Sequence, residues 1–178
     1  MAVIRRGAGF HAAQGGIIAS TVGVGIVASA NFTPAAAAYS AGDTMDVAKE
    51  MAFTYADTGE AIPPGSLIRI LDTILKIDTT GLQASEAAYT LHFYSVTPPS
   101  ALADNAAWTL ASGDLPSYSG FMSMGTPVDL GAALYIKQSN IDVDVKLTGS
   151  SLFATLVTVA GFTATAVARQ VLLRAIIL

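Results

Sequence analysis

The stretch Ile141-Asp142-Val143-Asp144-Val145-Lys146-Leu147 alternates strictly between apolar and charged residues. A period of two places successive side chains on opposite faces of a β-strand. The aliphatic residues are therefore expected to face a core, and the charged residues to face water. Gly149-Ser150 follows closely and is typical of a hairpin turn, so a further strand is expected from Leu152.

Strand patterns also occur on both sides of this stretch. Turns rich in Gly, Pro and Asp separate them, and no amphipathic segment of helical length alternates with them. The sequence therefore predicts an all-β protein, an antiparallel β-sandwich or jelly roll. The further candidate strands are 67–77, 88–96, 133–138, 152–160 and 167–177, with weaker ones at 44–48 and 51–55.

The C-terminal stretch 171–178 is apolar on both alternating faces, apart from Arg174. A half-solvated strand would carry polar residues on one face. An exposed apolar edge would also invite aggregation. We therefore expect a central strand here, or an edge strand that another subunit covers.

The composition limits the class of protein. The chain has 178 residues, of which 52% are hydrophobic, 12% are charged and none is cysteine. High hydrophobicity with low charge excludes a disordered chain, and the absence of cysteine excludes disulfides and thiolate metal sites. So few charges cover a small domain poorly, so extensive contact with other chains, including further copies of this one, is expected.

Charge is unevenly distributed along the chain. Residues 1–42 contain Arg5 and Arg6 and no acidic residue, whereas the net charge of the whole chain is −4. Binding to nucleic acid requires clustered Lys and Arg, so two adjacent arginines do not favour it.

The N-terminal segment has the outline of a secretory signal: two arginines, the apolar stretch 16–27, and then Ala28-Ser29-Ala30. Gly and Ser interrupt the apolar stretch, which is shorter than the roughly 20 residues that cross a bilayer, so no membrane contact is predicted. We favour a retained, extended assembly arm over residues 1–38, followed by a β-sandwich domain over residues 39–178. The predicted partner interface comprises Arg5, Arg6, Phe10, His11, Ile17, Ile18, Val22 and Trp108.

The long connection 97–117 interrupts the rhythm of the strands. Ser100 is a suitable N-cap, and residues 101–108 are long enough for about two helical turns. The only tryptophan, Trp108, lies at the end of this segment. It either plugs one end of the sandwich, which we favour, or anchors a partner at an interface.

The sequence offers no catalytic constellation. The two histidines, His11 and His92, have no G-x-S-x-G or H-E-x-x-H motif around them, and His92 is expected to face a polar neighbour across the sheet. No enzymatic activity and no cofactor are predicted.

Two carboxylate pairs could in principle ligate Ca²⁺ through oxygen. Asp142 and Asp144 share a strand face, and Asp43 and Asp46 flank a turn. Neither pair has the spaced D-x-[DN]-x-[DN]-G loop that identifies such a site. A solvated strand face is the favoured interpretation, and no metal site is predicted.

One stretch suggests a family. The segment 97–108, TPPSALADNAAW, follows Leu91-His92-Phe93-Tyr94 and precedes Ser112-Gly113-Asp114-Leu115 and Tyr118-Ser119-Gly120. Together with the entry at 39–43, it resembles a recurrent stretch in small virion proteins of tailed bacteriophages, over residues 39–178. The resemblance implies a β-sandwich capsid decoration or cement protein, without catalytic residues. Such a protein lies on the capsid exterior and bridges neighbouring major capsid subunits.

Two other functions remain open at this point. A tail or fibre-associated module that recognises host glycan would need exposed aromatic residues with polar neighbours, whereas the Tyr and Phe residues here lie mostly within strands. A secreted binding domain would need the N-terminal segment to act as a signal.

Overall fold

The computed structural model describes residues 24–100 and 102–178. Twelve β-strands form the regular structure of these residues, and no helix occurs among them. The strands are β1 (Val24–Phe32), β2 (Ala38–Tyr39), β3 (Lys49–Ala52), β4 (Thr54–Tyr55), β5 (Leu67–Ile77), β6 (Tyr89–Tyr94), β7 (Tyr118–Ser123), β8 (Val128–Asp129), β9 (Leu134–Lys146), β10 (Ser151–Thr158), β11 (Phe162–Thr163) and β12 (Arg169–Ile177).

Two antiparallel sheets enclose one core. The larger has the order β4-β1-β12-β5-β9-β8 and the smaller has the order β3-β10-β6-β7, while β11 and β2 form a short third sheet. The predicted all-β sandwich is thereby confirmed. Apolar side chains of both larger sheets form a single buried cluster, which includes Ile26, Phe32, Ile70, Leu75, Leu91, Phe93, Leu156 and Leu173.

The strictly alternating stretch 141–147 has the expected orientation. Val145 and Leu147 belong to the core, whereas Asp142 and Asp144 are exposed. The two candidate strands at 133–138 and 141–147 are one continuous strand, β9. The register against β5 shifts within it, and Asn140 adopts a left-handed φ of 59° close to the shift. Asn tolerates this conformation better than most residues.

The C-terminal strand is central, as its two apolar faces predict. β12 lies between β1 and β5 and pairs with both. Val171, Leu173 and Ala175 are buried in the core, and Leu172 on the opposite face is half-buried.

The predicted domain boundary at residue 38 is wrong. Residues 24–32 are β1, which pairs along its whole length with β12 and is part of the sandwich. The segment has a period of two that its small residues obscure: Ile26, Ala28 and Phe32 are buried, whereas Gly25, Ser29 and Asn31 are exposed. Residues 1–23 lie outside the described residues, so the prediction of an arm is untested there.

The predicted helical turns are also absent from the described part of 101–108. Asn105 adopts a left-handed φ of 62°, which a right-handed helix excludes. Asp104 accepts hydrogen bonds from the amides of Ala35 and Asp46 instead. Short polar side chains compete in this way with the helical backbone.

A buried ion pair closes the core near the start of β12. The side chains of Arg169 and Glu86 are each 1% exposed, and Nη2 of Arg169 lies 3.4 Å from Oε1 of Glu86. The same guanidinium donates to the carbonyls of Thr165 and Val167 at 2.9 and 2.7 Å. The hydroxyl of Tyr89 donates to Glu86. A buried charge of this kind is tolerated only when it is paired and hydrogen-bonded.

Removing this cation should therefore be costly. We predict that Arg169→Gln lowers the free energy of unfolding by about 3–5 kcal/mol, because it leaves the Glu86 carboxylate buried and unpaired. Arg174→Gln on the same strand is the matched control. Arg174 is exposed and lies 3.9 Å from Asp72, so its loss should cost less than about 1 kcal/mol. Urea denaturation measures both, and equal losses would show that the buried pair does not stabilise the fold as described.

Candidate binding surface

The outward face of β6 is covered by the chain itself. Along this strand the side chains of Leu91 and Phe93 point into the core, so those of the alternating residues His92 and Tyr94 point outward. Both outward residues are nevertheless buried. The connection 95–117 returns over this face and shields it, which explains why a strand without a charged residue is stable at this position.

Polar contacts from the segment before β3 hold the connection in place. The hydroxyl of Thr44 donates to the carbonyl of Ala103 at 2.6 Å. The amide of Trp108 donates to the carbonyl of Gly42 at 2.8 Å. These contacts flank Asp104, which also binds residues before β3, so the path of the connection is fixed as far as Trp108.

Three rings form a stack on this outward face, which we call the aromatic row: Trp108, His92 and Phe121. The ring centroids of His92 and Trp108 are 3.8 Å apart with 23° between their planes. His92 and Phe121 are 5.6 Å apart with 29° between planes. Phe121 lies opposite His92 in the β6–β7 register and is 64% exposed, so the row ends in an open ring.

The phenol groups of Tyr94 and Tyr118 form hydrogen bonds with rings of the aromatic row. The indole Nε1 of Trp108 donates to the hydroxyl of Tyr94 at 3.2 Å, and Nδ1 of His92 lies 3.0 Å from the hydroxyl of Tyr118. The Tyr94 and Tyr118 rings meet edge to face at 5.5 Å. The indole nitrogen of Trp108 and one ring nitrogen of His92 are thus paired within the protein, which fixes the orientation of these two rings.

The aromatic row together with Tyr94 and Tyr118, which we call the aromatic surface, carries no charge on its rings at neutral pH. Burial lowers the pKa of His92 to about 4, so its imidazole is neutral. Burial also raises the pKa of Tyr94 and of Tyr118, so both remain protonated phenols. The described contacts of His92 are with rings and a phenol, without the orienting carboxylate that a general base requires. Such a surface is suited to binding through ring faces rather than to acid–base chemistry.

The predicted interface residues fall into two groups. Trp108 is half-buried and lies on the outward face of the smaller sheet, outside the core cluster. The favoured interpretation of Trp108 as a plug at one end of the sandwich is therefore wrong. The amide of Trp108 binds the carbonyl of Gly42, and the indole ring stacks on His92 instead. The other predicted residues lie outside the described part of the chain: Arg5, Arg6, Phe10, His11, Ile17, Ile18 and Val22.

Phe121 is not among the residues predicted from the sequence, because the pattern of β7 does not clearly indicate a strand. The signal was present but weak: six residues bounded by Pro116 and by the turn at 125–127. Ser119 and Gly120 dilute the β-propensity of this strand. The polar neighbour expected for His92 does exist and is the hydroxyl of Tyr118.

The carboxylate pairs form local contacts. The guanidinium of Arg69 binds both oxygens of Asp144, at 2.6 and 2.8 Å. Asp43 accepts the amide of Ser40 at 2.6 Å, and Asp46 pairs with Lys49 at 2.9 Å. Within residues 24–100 and 102–178, no group of three or more His, Asp or Glu side chains could hold a metal ion.

Comparison with known proteins gives no match, either among protein-family models or among curated proteins. In the described residues, no helix is long and apolar enough to cross a membrane.

The neutral state of His92 has a consequence for stability. An ordinary histidine has a pKa near 6.5, so the unfolded chain takes up a proton at His92 before the folded chain does. The stabilisation is complete above about pH 6.5 and is lost as the pH falls towards 4, by roughly 3 kcal/mol. We predict that His92→Phe, which keeps a stacking ring, removes this part of the pH dependence. Urea denaturation at several pH values measures it.

Tyr118→Phe is the control for this variant. It keeps the imidazole and should keep most of the pH dependence of the wild type. If His92→Phe and the wild type lose stability in parallel between pH 6.5 and 4, then His92 is not held neutral in the folded protein.

Proposed function

We propose that this chain is a structural protein of a tailed-bacteriophage virion that binds the capsid exterior and bridges neighbouring major capsid subunits. It acts by binding and not by catalysis. Two observations support the proposal: the resemblance of residues 97–108, 112–115 and 118–120 to small virion proteins, and the position of this segment in the fold. The same segment forms the connection over β6 and contributes Trp108, Tyr118 and the start of β7 to the aromatic surface.

The observation that carries the proposal is the fixed, uncharged aromatic surface around Trp108. Trp and Tyr are enriched among the residues that dominate protein–protein affinity. Rings that are already held by stacking and hydrogen bonds lose little conformational entropy when a partner binds. Trp108 stacks on His92 and donates to Tyr94, so it meets this condition.

A bridging protein of this kind would stabilise a shell additively. Apolar area removed from water contributes roughly 25 cal/mol per Å², before the cost of association. A modest contact at each joint between subunits is repeated over a symmetric shell. The total opposes internal pressure without any covalent step.

A second function is favoured by one specific observation. The ring of Phe121 is 64% exposed, and Ser123 follows it two positions along the regular part of the strand. An open ring beside a hydroxyl group has the chemistry that a sugar ring recognises. Phe121 lies within a strand but is exposed, so its position in the sheet does not argue against glycan binding. The alternative function is therefore a tail or fibre-associated module that binds host glycan.

Cosedimentation with capsid shells that lack this protein tests the proposal. We predict saturable binding of the wild-type chain. Trp108→Ala should weaken it by about 30-fold or more, as expected for a residue that dominates an interface. Leu67→Ala, at a 42% exposed position on β5, is the control and should bind as the wild type does.

The contrary outcomes are distinct. Binding that is unaffected by Trp108→Ala would remove this surface from the interface. Failure to bind shells, together with retention on immobilised glycans that Phe121→Ala abolishes, would support the alternative. In both cases a cooperative melt of each variant shows that the fold has been kept.

A further inference from the structure

The two larger sheets end in four edge strands: β4 and β8 in one, and β3 and β7 in the other. Edge strands expose unpaired backbone groups, and natural proteins protect them by shortness or by charge. β4 and β8 have only two residues each, and β3 has four, including Lys49 and Glu50. β7 has six residues and no charge. Among these four terminal strands it alone has more than four residues, and it carries no charge.

The absence of charge extends beyond the strand. From Leu115 to Val128 the chain contains no Asp, Glu, Lys or Arg. The same stretch exposes three large apolar side chains, namely Leu115 at 58%, Phe121 at 64% and Val128 at 59%. A second copy would bring an identical neutral edge. Although each chain has a net charge of −4, no like charges would then lie opposite each other at the contact.

The backbone of β7 has free groups on its outer side. The amide of Met124 donates to the carbonyl of Tyr89 across the β6–β7 pair. In an antiparallel ladder the backbone groups of successive residues point to alternate sides. The N–H and C=O groups of Met122 therefore also point towards β6, whereas those of Phe121 and Ser123 point outward. The register shift of this pair lies between Phe93 and Tyr94, and Gly120 has a positive φ of 105°, so β7 is a regular strand from Phe121 onward.

We propose that β7 pairs with β7 of a second copy, antiparallel, across a two-fold axis at Met122. In this register Phe121 of each copy lies opposite Ser123 of the other copy. The paired residues all belong to the regular part of the strand. All the outward N–H and C=O groups of Phe121 and Ser123 then find partners. The two smaller sheets become one continuous sheet of eight strands.

The aromatic row gives this register an additional contact. Residues on neighbouring strands two positions out of register have Cα atoms about 7–8 Å apart, within reach of aromatic side chains. The Phe121 rings of the two copies would meet on the same outward face. In the single chain the row ends at the exposed ring of Phe121. In the pair, each Phe121 ring would be covered by the Phe121 ring of the other copy.

The mass of the full chain in solution tests the proposal, by light scattering at several protein concentrations. We expect a dimer for the wild type. Phe121→Lys should raise the dissociation constant by more than about tenfold, because it places an unpaired charge in the contact. Val47→Lys is the matched control: Val47 is also exposed, at 45%, and precedes the opposite edge strand β3, so this variant should remain dimeric.

Cysteine crosslinking tests the register. The chain has no cysteine, so Met122→Cys introduces a single thiol. At the two-fold axis the Met122 pair is not hydrogen-bonded, and its Cα atoms should lie about 4.5 Å apart, within the range of a disulfide. We expect Met122→Cys to yield a disulfide-linked dimer on mild oxidation, and Val47→Cys to remain uncrosslinked.

Three results would overturn the proposal. The first is a monomeric wild-type chain at all concentrations. The second is an assembly whose mass Phe121→Lys does not change. The third is a monomer that binds capsid shells and loses this binding with Phe121→Lys, which would assign the β7 edge to a shell subunit. Because the mass is measured without shells, failure here leaves the shell-binding test of Trp108 unaffected.

Discussion

The carboxylate of Asp104 connects two distant parts of the chain, and the aromatic surface depends on it. It accepts hydrogen bonds from the amide of Ala35 at 2.8 Å, from the amide of Asp46 at 2.6 Å and from the hydroxyl of Tyr39 at 2.7 Å. Burial acts to raise the pKa of Asp104, but these hydrogen bonds outweigh it and the pKa lies below its ordinary value. The ionised group thereby fixes the connection that carries Trp108 over β6.

Two ion pairs of the chain lie on the larger sheet, away from that surface. Arg69 pairs with Asp144 on the larger sheet, and Lys137 lies 3.3 Å from Asp72 there. The outward faces of β6 and β7 carry rings and hydroxyl groups instead. This division gives the molecule a charged face suited to water and an uncharged, rigid face suited to a partner, which is consistent with the proposed binding role.

Strands with a strict period of two, as in part of β9, or with a long run of apolar and β-branched residues could be predicted from the sequence; the latter are β5, β6, β10 and β12. β1 was mistaken for part of an arm because small residues such as Ala28 weaken its alternation. The weak candidate at 44–48 contains only an isolated bridge at Thr44. In these segments local propensity is low, and pairing with a distant strand decides the conformation.

The candidate surface could be predicted less well than the fold, because it depends on contacts between residues far apart in the chain. Asp104 and Ala35 are 69 positions apart. A helical pattern in 101–108 is locally reasonable, but the hydrogen bonds of Asp104 to distant amides outweigh it. Trp108 is a candidate on residue type alone, whereas its stacking on His92 and the pairing of His92 with Phe121 emerge only from the structure.

The fluorescence of Trp108, the only tryptophan of the chain, tests the central claim most directly. The measurement is acrylamide quenching of the wild type and of Asp104→Ala. The account predicts that the wild-type indole is partly shielded by His92, and that Asp104→Ala releases the connection, so that quenching increases and the emission shifts to the red while the sandwich still melts cooperatively. Identical quenching and emission in the two proteins would contradict the claim that Asp104 positions the aromatic surface.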